Sequence, residues 1–449
     1  MEDKRIYTLA KEKPVAAVLK MGVPVTMGMM FMVVYNLVDT YFIGQLHDDA
    51  QLAATNLAYP IMMITIAISG IVGNGGASYI ARCMGAGRED EARHTLTIGF
   101  EMIAIGSLLM AVLGILFLDP IVRILGAKDA TVEYTKQYTA VMFLGSLFTM
   151  GNYAFGQLLR SEGSTTNSMV GMLTGTIMNI ILDPIFIFTL KLQILGAAVA
   201  TILGNAAGMA VFIYCYASKK SLLQPSVKML AFDKRIVGEI MWVGIPHTLE
   251  QFFSTAAMIV NNNLAAAYGE LTVAAMGISG KIMSFGSYIY QGIAAGCQPL
   301  MGYNYGAGNF KRLRQMIKSG IAVTTLAELG VMVIFGIGAP WFIGCFSINP
   351  EVVSTGTVTL RAAMWMLPFV GSTAIARNMY NSIGKPFYSF GITVVRQIVL
   401  YIPMLIIFDH MWGYRGLIHA QPVEEAVCMV FSLIMVFVTL KMFEAKEEA

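Results

Sequence analysis

Residues 22–44 read GVPVTMGMMFMVVYNLVDTYFIG, an apolar stretch that holds a single charge, Asp39. About 20 apolar residues cross a bilayer as one helix, so this stretch is long enough to span. It also opens a repeat. Gly22-Val23-Pro24 returns as Gly244-Ile245-Pro246, and Gly85-Ala86-Gly87 returns as Gly306-Ala307-Gly308. Arg93 is matched by Arg314, and Ser161-Glu162-Gly163 by Ser382-Ile383-Gly384. The offset is 221 or 222 residues each time. Duplication on this scale in an apolar chain marks transporters, whose site lies between the repeats.

Composition agrees. Of 449 residues, 56% are hydrophobic and 13% charged, with mean hydropathy +0.66. Soluble domains carry about 25% charged residues. Thirty basic against 27 acidic side chains leave a net charge of +3, with no basic aromatic patch for nucleic acid. The N-terminal MEDKRIYTLAKEKP has no cleavable signal pattern, and the run from Val15 to Ile43 exceeds a signal core.

Twelve apolar segments are expected to be helices: 15–43, 52–79, 95–118, 132–156, 165–190, 194–217, 238–267, 272–299, 315–343, 355–378, 388–408 and 414–440. Backbone facing lipid must satisfy its own hydrogen bonds, which favours helices. The segments are also too long and evenly apolar for barrel strands. The fold class is therefore an all-α polytopic membrane protein with two six-helix bundles related as a parallel repeat. The expected lobes are 1–217 and 238–449, joined by a polar, basic linker at 218–237.

Loop charge orients the chain. Lysines and arginines crowd the loops before the first segment, after the second and eighth, and in the linker. The opposite loops carry about six, so the positive-inside rule puts both termini in the cytoplasm. The GxxxG spacings Gly171…Gly175, Gly204…Gly208 and Gly292…Gly296 are expected to pack helices within each bundle.

Ordinary enzyme chemistry finds no support. Gly280-Lys281-Ile282 and Gly384-Lys385-Pro386 do not fit a phosphate-cradling loop. There is no GxSxG elbow, and the five histidines lack metal-ligand spacing. The five cysteines are scattered, with no disulfide framework. No cofactor is expected, and uphill transport would draw on H+ or Na+.

Asp39 and Asp183 are the exceptional residues. A charged Asp at the bilayer centre costs about 2.5–3.5 kcal/mol on insertion scales, so it faces a cavity or a partner. Asp39 lies about 22 Å along a helix from Pro24, and Asp183 sits near the outer end of the fifth segment. Tyr35 and Asn179 precede them at i−4 on the same helix faces. Thr201 and Asn205 enter from the sixth segment. Two acids in one low-dielectric pocket can take up a proton or hold sodium, with Asp39, Asp183 and Asn179 as oxygen ligands. The alternative is that each Asp hydrogen-bonds a neighbouring helix. Pro24 and Pro184 free carbonyls and permit hinges.

The second half differs. Asn261 replaces Asp39, and no acid matches Asp183. This half instead places Glu250, Gln251, Asn262, Lys281, Gln291, Arg396 and Gln397 in apolar segments, where burial is expected. Either Glu250 forms an internal ion pair, or Glu250, Gln251, Asn261, Lys281 and Arg396 form a polar wall touching substrate or a second titrating site. Asn36 and Asn205 would line the first-half cavity. The clustered methionines of Met27–Met32 suit varied apolar cargo or plain packing.

At GVPVTMGMMFMVVYNLVDTYFIG, YIARCMGAGREDEAR, LLRSEGSTTNSMVGMLTGTIMNIILDPIFIF, GIPHTLEQ and RQIVLYIP the chain resembles the multidrug and toxic compound extrusion (MATE) family. It is similar to the prokaryotic DinF-like branch more than the NorM-like branch. The resemblance implies twelve helices around a V-shaped central cavity and alternating access. It implies export of cationic or amphipathic organic compounds against protons or sodium. It places the first-lobe site on Tyr35, Asp39, Asn179, Asp183 and Thr201, with Asn152 and Gln157 matching loosely. Helix 10 carries Arg377 and Asn378 but no acid, unlike a NorM-like second-lobe site. The setting would be a prokaryotic plasma membrane, with a monomer among membrane lipids and no nucleic acid. Two alternatives are a flippase of the same superfamily moving a lipid-linked substrate and a non-transporting membrane receptor or scaffold.

Overall fold

The structure is a computed structural model describing residues 4–45, 48–128, 130–218, 220–226 and 232–447. Side chains at 35–37, 39–41, 44, 49, 130 and 444–447 lie outside that description, as do His47, Lys219 and Lys228 entirely. The described residues form helices and connections, with no strand.

After a short helix Lys4–Ala10, twelve long helical runs follow among the described residues, with a further short helix, Leu118–Ile124, between the third and fourth. In the first half they are α1 (Pro14–Gly44), α2 (Asp49–Gly85), α3 (Glu89–Leu116), α4 (Ala130–Leu144 and Ser146–Ser161), α5 (Thr165–Pro184) and α6 (Gln193–Ala217). In the second half they are α7 (Lys234–Ala266), α8 (Glu270–Gly306), α9 (Phe310–Gly344), α10 (Pro350–Met364 and Leu367–Ser382), α11 (Pro386–Val394, Val395–Tyr401 and Ile402–Trp412) and α12 (Tyr414–Glu447). A π-helical turn, Ile185–Thr189, extends α5 beyond Pro184, and Val395–Tyr401 is the same kind of turn within α11.

Among the described residues, eight helices are long and apolar enough to cross a membrane, or nine if the two parts of α10, bent by 47°, form one span. Both α7 and α8 have the length, at 33 and 37 residues, but more polar composition. Large apolar side chains stay exposed along whole helices, as at Leu108, Leu109 and Leu116 of α3 and Ile334, Ile337 and Trp341 of α9. That much apolar surface is stable against lipid rather than water. The protein is a multi-pass membrane protein.

The repeat is visible in backbone geometry. Gly87 and Gly308, which follow α2 and α8, have φ of 71° and 69°. Gly163 and Gly384, which follow α4 and α10, have φ of 84° and 75°. Each repeated glycine takes the left-handed conformation that ends a helix at low steric cost. The breaks in α4 and α10, at Gly145 and at Trp365-Met366, also correspond. Neither break is visible in the hydropathy, because both lie inside continuous apolar runs.

Two compact units emerge: Met1–Thr26 with Pro246–Ala449, and Met27–Ile245. The changeovers fall beside Pro24 in α1 and at Pro246 in α7. Within the first unit, the start of α1 lies on α8. A Cβ on Gly22 would stand 3.1 Å from Ile293 Cα, and one on Gly296 would stand 2.5 Å from Gly22 Cα. Asn304 Nδ2 donates to Leu9 O at 3.1 Å, fastening the N-terminal helix. Within the second unit, the start of α7 lies on α2 in the same manner. Cβ atoms on Gly75 and Gly244 would stand 2.1 Å from Ile240 O and 2.2 Å from Ile71 O.

The second unit is pinned at both ends. Glu91 bonds Tyr79 Oη at 2.5 Å and Arg88 at 2.6 Å, and also contacts Arg235. Glu162 accepts Ser221 Oγ and the backbone N–H of Leu222 and Leu223, at 2.5, 2.7 and 2.9 Å. At the opposite end Asp48 caps α2, accepting Ala50 N at 2.9 Å. The Gln51 amide and these backbone bonds hold the Asp48 carboxyl below the usual carboxylate range. Gln51 then reaches α6, donating to Gln193 Oε1 at 2.9 Å and accepting Ile194 N at 3.1 Å.

Another close crossing joins α5 and α6. Its Gly171…Gly175 and Gly204…Gly208 pairs face one another: a Cβ on Gly204 would stand 2.7 Å from Gly175 O, and one on Gly208 would stand 3.0 Å from Gly171 O. These two GxxxG spacings therefore pack helices of one bundle as expected, whereas Gly292…Gly296 packs on the start of α1, a helix of the other expected bundle. Gly204→Val should lower the stability of the purified protein by about 1–3 kcal/mol through overpacking, read as a fall in melting temperature in detergent. Gly280→Ala, where nothing lies within 4 Å of the added methyl, should be neutral or slightly stabilising.

Candidate functional site

The α5–α6 glycine contact brings polar side chains together one turn further along. Asn179 of α5 and Thr201 of α6 are 3% and 7% exposed, and Asp183 is fully buried. Oriented so that both ends of its amide find partners, Asn179 donates to Asp183 Oδ2 at 3.0 Å and accepts the Thr201 backbone N–H at 3.1 Å. In the opposite orientation it donates to Thr201 Oγ1 at 3.3 Å. Asn179 thus links the carboxyl of one helix to the backbone of the next.

A second polar link lies beside it. Asn152 of α4 donates to Asn205 Oδ1 of α6 at 2.9 Å, and Asn205 donates to Thr149 Oγ1 at 3.4 Å. Close approach again has a cause. A Cβ on Gly208 would stand 2.4 Å from Asn152 Oδ1, so only glycine leaves that amide room.

These groups wall a cavity of about 70 Å³ within the second unit. Asn152, Thr176, Asn179, Thr201 and Asn205 supply its polar side, while Gly28, Met32 and Met172 supply the apolar side. Such a wall, mostly apolar with a few convergent polar groups, suits a small-molecule site. Gly28 and Met32 belong to α1, so α1 reaches the cavity. The side chains of Tyr35, Asn36 and Asp39 lie outside the described residues. Gln157 is buried but packs on α2, where a Cβ on Gly73 would stand 3.2 Å from its Cγ. It does not line this cavity. Pro184 ends α5 next to Asp183, where the helix loosens into its π-helical turn. Among the described residues no group of three or more His, Cys, Asp or Glu could hold a metal.

In the second-half unit Glu250 of α7 is 3% exposed and makes an internal ion pair. Its Oε2 accepts Arg377 Nη1 of α10 at 3.3 Å, and its Oε1 accepts Ser389 Oγ of α11 at 2.7 Å. Arg396 of α11 contacts Glu425 of α12, and its Nε lies 3.8 Å from Glu424 Oε1. Gln397 donates to Ser254 Oγ at 3.4 Å. Burial is corrected for part of the expected set. Gln251, Asn262, Lys281 and Gln291 are exposed, on open faces of α7 and α8, and Asn261 is half-buried. Position within an apolar segment does not reveal that face.

Three acids of this unit escaped sequence reasoning: Glu328, Glu424 and Glu425, all at most 1% exposed. The signal was present, since an acid inside an apolar span is the same cue that singled out Asp39 and Asp183.

A family model described as MatE matches residues 24–185 and again 246–407. The chain is 29% identical over 441 residues to the multidrug export protein MepA of Staphylococcus aureus (strain MRSA252), covering 97% of this chain and 96% of that protein. It is equally similar, at 29% over 441 residues, to MepA of Staphylococcus saprophyticus. A solved multidrug resistance MATE family transporter of the MOP superfamily, in an outward-facing conformation, superposes with a TM-score of 0.94 at 25% identity, covering 99% of this chain and 100% of that one. With its two copies of the family domain together occupying most of the sequence, this chain belongs to the MatE family.

Proposed function

We propose that this chain is a secondary active multidrug exporter of cationic or amphipathic organic compounds, driven by entry of protons or sodium through alternating access. The observation that carries the reading is a fully buried carboxyl, Asp183, hydrogen-bonded to an amide that lines a cavity. Similarity to multidrug export proteins supports the cargo class.

Asp183, Asn179 and Thr201 are the described part of the coupling site. Helical spacing adds the rest: positions 28, 32, 35, 36 and 39 follow one stripe of α1, and its first two members line the cavity. Tyr35, Asn36 and Asp39 would complete the site from that stripe. A carboxylate pair in this setting takes up a proton readily, because two like charges in a low dielectric disfavour double ionisation. Sodium would find carboxylate, amide and hydroxyl oxygens on the same three helices. Cationic cargo competes for the same negative charge, so ion entry would favour cargo release.

The ion shifts the conformational balance only by its differential affinity for the two states. The loosened turn after Pro184 and the kink permitted at Pro24 would convert that difference into helix movement. Glu250, Arg396 and the exposed Gln251 and Lys281 would shape the polar surface of the second-half unit, Met1–Thr26 with Pro246–Ala449. Both termini would face the cytoplasm of a prokaryotic cell, and one chain would suffice for transport.

Asp39→Asn and Asp183→Asn should each abolish gradient-driven efflux of a fluorescent organic cation from vesicles, with an unchanged melting profile. Full efflux in the double variant would refute the coupling site. Imposing a proton gradient and then a sodium gradient on wild-type vesicles identifies the ion. Thr176→Trp fills the cavity and should reduce export of bulky cations more than small ones, without lowering the melting temperature. Equal effects on both would dissociate the cavity from cargo.

A further inference from the structure

The interior of the second-half unit holds more acid than base. Among its described residues Glu250, Glu328, Glu424 and Glu425 are buried carboxyls, against the guanidinium groups of Arg377 and Arg396. The pairing is uneven. Arg377 and Ser389 serve Glu250. Arg396 contacts Glu425, while Glu424 Oε1 stays 3.8 Å from Arg396 Nε and has no hydrogen-bond partner among the described residues.

Glu328 is the extreme case. It lies mid-way along α9 and is fully buried; the backbone N–H of Tyr290 approaches its carboxyl, but neither oxygen gains a well-formed hydrogen bond or a cation among the described residues. Its Oε2 sits beside Gly286 of α8, where the other neighbours are Val331 and Leu367. Tyr290, one turn on from Gly286, is within electrostatic reach of Glu328, Glu425, Arg377 and Arg396, which places Glu328 at the edge of the same interior. Tyr401 and Cys428 adjoin the Arg396 end, and His247 the Glu250 end. None of these three supplies a fixed positive charge.

Two guanidinium groups neutralise two carboxylates, leaving two over. A buried carboxylate without a partner escapes its desolvation penalty by taking a proton. We propose that this unit is itself a proton site, with Glu328 and Glu424 each carrying a proton while Glu250 and Glu425 are ionised. Binding is simple protonation, carboxylate plus H+ giving carboxylic acid. Release requires the packing of α8, α9, α11 and α12 to admit water. The protein would then exchange protons in its second half independently of Asp39 and Asp183, and the proposal does not depend on coupling at those residues.

The test uses the full-length protein in lipid nanodiscs and infrared spectroscopy of the protonated carboxyl C=O stretch at pH 7, in H2O and D2O. Glu328→Gln and Glu424→Gln should each remove one component of that absorption and leave the melting temperature unchanged, since a neutral group replaces a neutral group of the same shape. Glu425→Gln should keep both components and lower the melting temperature by several degrees, because Arg396 loses its counter-charge. Glu328→Asp retains the acid and should shift its component without removing it, which covers the case in which Glu328→Gln does not fold. An unchanged spectrum in Glu328→Gln, or an unshifted one in Glu328→Asp, overturns the assignment of Glu328. A destabilised Glu424→Gln beside a tolerated Glu425→Gln overturns that of Glu424. Asp183→Asn is the reference: loss of driven efflux there, with both second-half components intact, separates this site from the first.

Discussion

A polar group inside an apolar span has no water to turn to, and that constraint shapes the whole chain. It forces the backbone into helices, which satisfy their own amides and carbonyls. It then forces every interior carboxyl, amide and guanidinium to find a partner, lose its charge or border a cavity. The two units solve this problem differently. At Asp183 the described hydrogen bond comes from an amide, Asn179 of α5, which in turn meets Thr201 of α6. In the second-half unit the partners are arginines on α10 and α11. An arginine neutralises a carboxylate's charge, whereas an amide only hydrogen-bonds it.

Glycine makes the first arrangement physically attainable. Asn179 reaches Thr201 because the backbones of α5 and α6 meet at Gly175 and Gly204. Larger residues would hold the helices apart and leave the Asn179 amide short of its partners. Glycines also seat the opening part of α1 on α8 and that of α7 on α2. Contact geometry and polar chemistry are therefore linked, because small residues set the separation at which buried hydrogen bonds can form.

The legible part of the site was what a one-dimensional pattern can carry. Asp183 and Asn179 share a helix face by spacing alone, and the structure joins them by a hydrogen bond. Thr201 and Asn205 were placed nearby by helix order and Asn152 by the family resemblance, and the three share one cavity. Gln157 follows Asn152 on α4 yet packs on α2, because five residues rotate a side chain by about 140° around the helix axis. Glu250 was expected in an ion pair or a polar wall. Its ion-pair partner, Arg377, lies 127 residues further along the chain, a distance at which sequence offers no pairing rule.

The sequence alone determined the helical class, the duplication, the approximate spans and the acids that stand out, since each follows from apolar run length, repeated glycines and the cost of charge in lipid. Tertiary structure decided which polar groups meet, which helix faces are open, and where α1 and α7 change units beside Pro24 and Pro246. It also decided which acids lack a counter-charge, as at Glu328. The physical reason is that hydropathy reports a segment's average environment. Partnering depends on rotation about the helix axis and on contacts between residues far apart in the chain.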